Sequence, residues 1–171
     1  MIRNLIYAGI FLTLVLLQVF LFDNIALSVY FHPLIYIAFI IILPLDMRPV
    51  WVLLLSALMG LTIDVATGQA GLNVISTTAL GFMRTAIVGL ICGRSMGFDD
   101  TIPSLHRFTT KNLIGYIVAM VVVHSIIYFG MESLSVMHLL HTLLRIVVSD
   151  VVAIFVVWYI VRLIIERILK S

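Results

Sequence analysis

VWVLLLSALMGLTIDVA, from Val50 to Ala66, is followed by Thr67-Gly68-Gln69-Ala70-Gly71 and then by LNVISTTALGFMRTAIVGLIC, from Leu72 to Cys92. This stretch decides the fold. Each apolar run is close to the roughly 20 residues that a helix needs to cross a bilayer. The first run holds one ionisable residue, Asp64, and the second holds one, Arg84. Between them lie five residues with two glycines, a turn and nothing more. Two antiparallel helices joined by a tight turn follow, and their apolar length fits lipid rather than water.

The rest of the chain agrees. Of 171 residues, 63% are apolar and only 11% charged, against about 25% charged in ordinary soluble domains. Mean hydropathy is +1.25. A soluble globular protein is excluded, and so is disorder, which needs low hydrophobicity. The apolar runs are continuous rather than alternating, so helices are expected and a lipid-facing barrel is not. The apolar content allows five or six spans and leaves about 50 residues for loops and termini. The expected fold is therefore an all-α integral membrane protein, a compact bundle of about six helices. Residues 1–171 form one polytopic domain with no separate soluble part. The small net charge of +2 makes no case for nucleic acid. The single cysteine, Cys92, excludes an intrachain disulfide and a cysteine metal site.

Outward from the decisive stretch, the first span is expected from Leu5 to Phe22, too long for the core of a cleaved leader. The second segment, Leu34 to Leu45, is short and framed by Pro33 and Pro44. It reaches membrane length only by starting near Leu27 with Pro33 inside it; otherwise it is tilted, broken or partly inserted. Asp46-Met47-Arg48-Pro49 is a turn, with Pro49 suited to opening the next helix. After Cys92 comes the longest polar stretch, 93–111. Further spans are expected from Asn112 to Phe129 and from Leu143 to Ile165. This layout puts Arg3, Arg48, Arg94, Arg107, Lys111, Arg162, Arg167 and Lys170 on one side and no Lys or Arg in the loops of the other. Cytoplasmic loops carry the Lys and Arg excess. Both termini are thus expected in the cytoplasm. Tyr30, Tyr36, Trp51, Tyr128, Trp158 and Tyr159 fall mostly near span ends, as an interfacial aromatic belt would.

Ionisable residues within spans are costly and are candidates for function. Four stand out as an intramembrane polar network: Asp64, Arg84, Arg145 and Asp150. They would form a pocket for a ligand or partner helix, or equally an internal ion-pair network with end residues snorkelling to headgroups. His124 reads as a helix–helix hydrogen-bonding residue. A small-residue stripe recurs every four residues at Gly81, Thr85, Gly89, Gly93 and Gly97. A second runs through Ser56, Gly60, Asp64 and Gly68. Such stripes let backbones approach closely, within one chain or against a partner's helix. Gly93-Arg94-Ser95-Met96-Gly97 matches a nucleophile elbow in letters only. An apolar helix precedes it where a strand is required, and no oxyanion-hole motif accompanies nearby His106. His138 and His141, with Glu132, are two histidines at a helix end rather than a zinc site. No catalytic residue, metal ligand or cofactor site is assigned, and nothing supports an enzyme.

Gly60-Leu-Thr-Ile-Asp64-Val-Ala-Thr67-Gly68-Gln-Ala-Gly71-Leu72 resembles the G-x-x-x-D-x-x-[ST]-G-x-x-G-[LV] signature of the MreD rod shape-determining family. The chain's length, its lack of a soluble domain and the prolines framing the second segment are similar to that family too. The resemblance implies a non-enzymatic inner-membrane scaffold of the bacterial cell-elongation machinery. It implies an MreC-like single-span partner and, through it, links to a RodA-like polymerase, a transpeptidase and an MreB-like filament. It marks Gly60, Asp64, Gly68 and Gly71 as determinants of the outer turn and of partner docking. Self-association into a homodimer stays open. The six-helix layout is also similar to the substrate-binding subunits of energy-coupling-factor vitamin transporters. That likeness implies the alternative, a small-molecule-binding subunit with Asp64, Asn73, Arg145 and Asp150 near an outer pocket. Likeness of fold does not carry function.

Overall fold

A computed structural model describes residues 2–22, 34–45, 47–92, 109–132 and 139–166, with side chains described for all of these except 2–4, 22, 92 and 139–146. Among the described residues every regular element is helical. Helix α1 (Ile2–Leu16) continues into π-helical turns over Leu17–Phe22, and α2 spans Ile37–Ile42. Then follow α3 (Pro49–Thr67), α4 (Leu72–Cys92), α5 (Thr110–Glu132) and α6 (Leu139–Ile164). Among the described residues, four helical stretches are long and apolar enough to cross a membrane: Pro49–Thr67, Leu72–Ile91, Thr110–Glu132 and Val147–Ile164. The apolar part of the first helix, Leu5–Leu21, is shorter. The chain is built as a helical membrane protein. Large side chains such as Phe82, Leu90, Val65 and Phe155 stand exposed on its outside, where hydrocarbon would meet them.

The hairpin of α3 and α4 is the most extensive contact between elements. Pro49 opens α3, where its missing N–H costs nothing. Gly68 closes it with φ +70°, and Gly71 follows with φ +89°. Both are left-handed conformations that side chains with a Cβ resist. The two helices approach closely at Gly60. A Cβ there would lie 2.4 Å from Thr77 Oγ1 and 2.5 Å from the Asn73 carbonyl oxygen. One turn earlier on α3, Ser56 fills the space over Gly81, whose Cβ would lie 2.5 Å from Ser56 Oγ. Helices in lipid gain little from the hydrophobic effect, so such close packing is a main source of their association.

The packed row on α4 departs from the predicted four-residue stripe. Asn73, Thr77, Leu80, Gly81, Arg84 and Val88 are buried, whereas Thr85 and Gly89 are exposed. The reason is geometric. A helix turns every 3.6 residues, so each step of four rotates about 40° further around the axis. A row that faces α3 at Gly81 has turned outward by Gly89. Gly93 and Gly97 lie outside the described residues.

The second apolar segment differs most from a membrane span. Only six residues, Ile37–Ile42, are helical, and Leu34 to Leu43 are all fully or almost fully buried. Leu43, ahead of Pro44, has φ −55° and ψ 142°. A proline pushes its predecessor out of the helical region, and this ends α2. The short helix touches α1, α3, α4, α5 and α6. Phe39 meets Phe11 of α1 edge-on at 5.2 Å between ring centres. Thus α2 is an insert at the centre of the assembly, not a peripheral span. Pro33 and Leu27 lie outside the described residues.

These contacts set opposite expectations for two glycines. Gly60→Ala should lower stability by about 1–3 kcal/mol, the usual cost of overpacking, because the backbone oxygen of Asn73 is not free to move. Gly89→Ala meets nothing within 4 Å and should be neutral or raise stability by up to about 1 kcal/mol through helix propensity. Thermal unfolding of both variants in mild detergent reads the difference.

Candidate functional site

Asp64 stands one turn before the end of α3 and joins that helix to the next. Its carbonyl oxygen accepts the N–H groups of Gly68 and Gln69, the latter at 3.0 Å, and this closes α3. Its carboxylate reaches across the turn. Oδ1 accepts the Asn73 backbone N–H at 3.2 Å, and Oδ2 accepts the Val74 N–H at 2.9 Å. These are among the first N–H groups of α4, which have no partner within their own helix. A carboxylate at a helix N-terminus also meets the positive end of the helix dipole. One buried residue therefore ends one helix and caps the next.

From Asp64 a chain of hydrogen bonds runs into the bundle. Asn73 Nδ2 donates to Asp64 Oδ1 at 2.8 Å and to Gln69 Oε1 at 3.1 Å. Tyr36, in the turn that opens α2, donates its hydroxyl to Asn73 Oδ1 at 2.5 Å. The same hydroxyl lies 3.2 Å from Nε2 of His124 on α5. Tyr128, one turn further along α5, donates to Gln69 Oε1 at 2.9 Å and stacks on His124 at 13° between ring planes. The turn after α3, the central insert and α5 are thus tied through neutral groups to one carboxylate. Tyr36 donates through Asn73 toward Asp64, while Asn73 and Tyr128 both donate to Gln69. An amide at the middle of this chain does not pass protons as a hydroxyl or carboxyl does. The arrangement positions helices and does not relay charge.

The residues just before and just after α2 are bonded from outside the segment. The Ile35 N–H donates to Oε1 of Gln18 at 2.8 Å, and Gln18 sits on the π-helical turns after α1. At the other end, the Arg84 guanidinium donates to the Leu43 carbonyl, and to Pro44 O at 3.2 Å. Its Nε donates to the Tyr116 hydroxyl of α5 at 3.1 Å. A cation at the carbonyl end of a helix is held by the negative end of its dipole. Arg84 is 4% exposed, so this group is deep in the protein.

The predicted four-residue polar network separates into distinct sites. Asp64 bonds to α4 and Arg84 to the end of α2. Asp150 of α6 accepts the Ser125 hydroxyl of α5 at 2.5 Å. None of the three bonds to another. Arg145 lies on α6 within 139–146, where side chains are not described. The aromatic belt also divides. Trp51 and Tyr159 are exposed, while Tyr36 and Tyr128 are wholly interior and serve the hydrogen-bond chain. Arg162 lies over the Trp158 ring at 5.4 Å and pairs with Glu166 at 2.9 Å. Ser95, His106 and His138 lie outside the described residues, as does the side chain of His141. Among the described residues no group of three metal-ligating side chains occurs. Gln18, Tyr116 and Ser125 were not singled out in sequence. Gln18 carries a signal, as the one amide in the first apolar run. No family model, curated protein or solved structure matches this chain.

Asp64→Leu would remove the acceptor of two backbone donors and of one N–H of the Asn73 amide, at about 1–3 kcal/mol for each group left buried and unsatisfied. Asp64→Asn keeps one acceptor oxygen and should lose less. The expected order of thermal stability in detergent is wild type, then Asp64→Asn, then Asp64→Leu. Equal stability of all three would remove Asp64 as the junction of α3 and α4.

Proposed function

We propose that this chain is a non-enzymatic scaffold of the bacterial inner membrane, an MreD-like component of the cell-elongation machinery. In this reading both termini face the cytoplasm, and the chain binds the transmembrane helix of an MreC-like partner. It thereby supports a complex with RodA-like and transpeptidase enzymes that build sidewall peptidoglycan. The observation that carries the reading is what the signature residues do. Gly60 lets α3 and α4 touch. Asp64 caps α4. Gly68 and Gly71 take positive φ in the turn. A motif spent entirely on holding a hairpin suits a protein whose task is assembly. The polar groups around it are bonded to one another in a way that favours rigidity over chemistry.

The alternative is a small-molecule-binding subunit of a vitamin-type transporter. The cluster of Asp64, Asn73, Tyr36 and His124 inside the bundle favours it. Its members are engaged mainly with each other, and Asp150 is held apart with Ser125, so the scaffold reading is preferred.

Purification of the tagged chain from its own membranes in mild detergent, with mass spectrometry of what accompanies it, separates the two. Recovery of an MreC-like protein and wall-synthesis enzymes is the expected result. Recovery of paired ATPases and a coupling membrane subunit would replace the scaffold with the transporter. Gly89→Leu extends the test. This exposed position has open space around it, so the variant should fold normally while recovering less partner if α4 is the docking helix. Undiminished recovery would move the docking surface elsewhere.

A further inference from the structure

We infer that Nδ1 of His124 is the binding site for a hydrogen-bond donor held inside the bundle, an O–H or N–H from an internal water or a small polar molecule. The inference stands apart from the scaffold reading and rests on the direction of the bonds around Tyr36. Asn73 has two acceptors beside its Nδ2, Asp64 Oδ1 at 2.8 Å and Gln69 Oε1 at 3.1 Å. The carboxylate oxygens of Asp64 already accept backbone N–H groups, so the amide nitrogen of Asn73 must face them. That places Asn73 Oδ1 toward Tyr36, and an amide oxygen only accepts. The one proton of the Tyr36 hydroxyl therefore goes to Asn73, at 2.5 Å.

That hydroxyl also lies 3.2 Å from His124 Nε2. With its proton committed, the Tyr36 oxygen can only accept, and Nε2 must carry the hydrogen. The Nε2–H tautomer leaves an in-plane lone pair on Nδ1. His124 is completely buried, and Nδ1 has no hydrogen-bond partner among the described residues. Buried polar atoms of native proteins find partners, commonly an ordered water. The ring of Tyr128 lies over the flat face of the imidazole and Tyr36 stands edge-on to it at 5.5 Å. Stacking on a face leaves the in-plane direction of Nδ1 clear of the Tyr128 ring. A metal ion is a poor occupant, since His124 belongs to no group of three ligating side chains among the described residues. A compact neutral donor fits both the burial and the lone pair.

The test uses the full chain, labelled with ¹⁵N-histidine and reconstituted in lipid bilayers, with solid-state NMR of both ring nitrogens. The sequence holds five histidines. Replacing His32, His106, His138 and His141 with Gln leaves His124 as the single labelled ring. If that variant fails to fold, a difference spectrum against His124→Phe identifies the same signals. The expected result is the Nε2–H tautomer, with Nδ1 displaced from the resonance of a bare nitrogen to that of a hydrogen-bonded one. Polarisation transfer from water protons to Nδ1, lost in D₂O, identifies water as the donor. A stoichiometric small molecule in the extract of wild type, absent from that of His124→Phe, identifies a ligand instead. A bare Nδ1 overturns the inference, as does an Nδ1–H tautomer or a doubly protonated ring. A hydrogen-bonded Nδ1 with neither water transfer nor an extractable molecule assigns the donor to the protein itself and overturns it as well.

Discussion

A helix that ends where no water reaches must find partners for its terminal N–H and C=O groups within the protein. That constraint governs this molecule. Helix α2 is buried along its whole length, and the backbone just before and just after it bonds to other helices. Gln18 supplies an acceptor at one end, and Arg84 supplies donors at the other. The start of α4 depends in the same way on Asp64. Gln18, Asp64 and Arg84, polar residues within apolar helices, thus serve backbone groups of other segments. They stand where the backbone requires them, and the helices that carry them must pack close enough to deliver them. Gly60 and Gly81 make that approach possible between α3 and α4.

Seen this way, the intramembrane charges differ in kind. Asp64 is a capping group with three donors around it. Arg84 fixes the central insert and reaches Tyr116 on α5, so one side chain of α4 holds two neighbours. Asp150 joins α5 to α6 through a single serine. A pooled network of opposite charges would have allowed substitution of one pair for another. Three separate sites have no such redundancy, because each serves a different junction.

Much of the fold was legible in the sequence. Long apolar runs gave the long helices, and Thr-Gly-Gln-Ala-Gly gave the turn between Thr67 and Leu72. The residues after Leu34 were harder for a physical reason. A continuous apolar run reads the same whether lipid or protein surrounds it, so nothing in Leu34–Leu43 announces a central insert. The hydrogen-bond chain depends on that placement. Tyr36 looked interfacial because tyrosines near span ends usually are, and only its position inside the bundle brings it to Asn73 and His124. Asp64 was visible as an acid ending a span beside a glycine turn, but its role required knowing that α4 begins within reach. Letters that repeat every four residues drift around a helix that turns every 3.6, so of the described stripe members on α4 only Gly81 faces α3.

The turn between α3 and α4 has a consequence for how the molecule is made. Four residues, Gly68 to Gly71, separate the two helices, too few to leave slack between them. If α3 entered lipid ahead of α4, the Asp64 carboxylate would be there without the N–H groups that hold it. A lone acid within hydrocarbon is strongly disfavoured at the insertion step. The favourable unit of insertion is therefore the hairpin, with the acid already seated on the following helix. The same side chain that caps α4 in the finished protein thus favours entry of α3 and α4 as one unit.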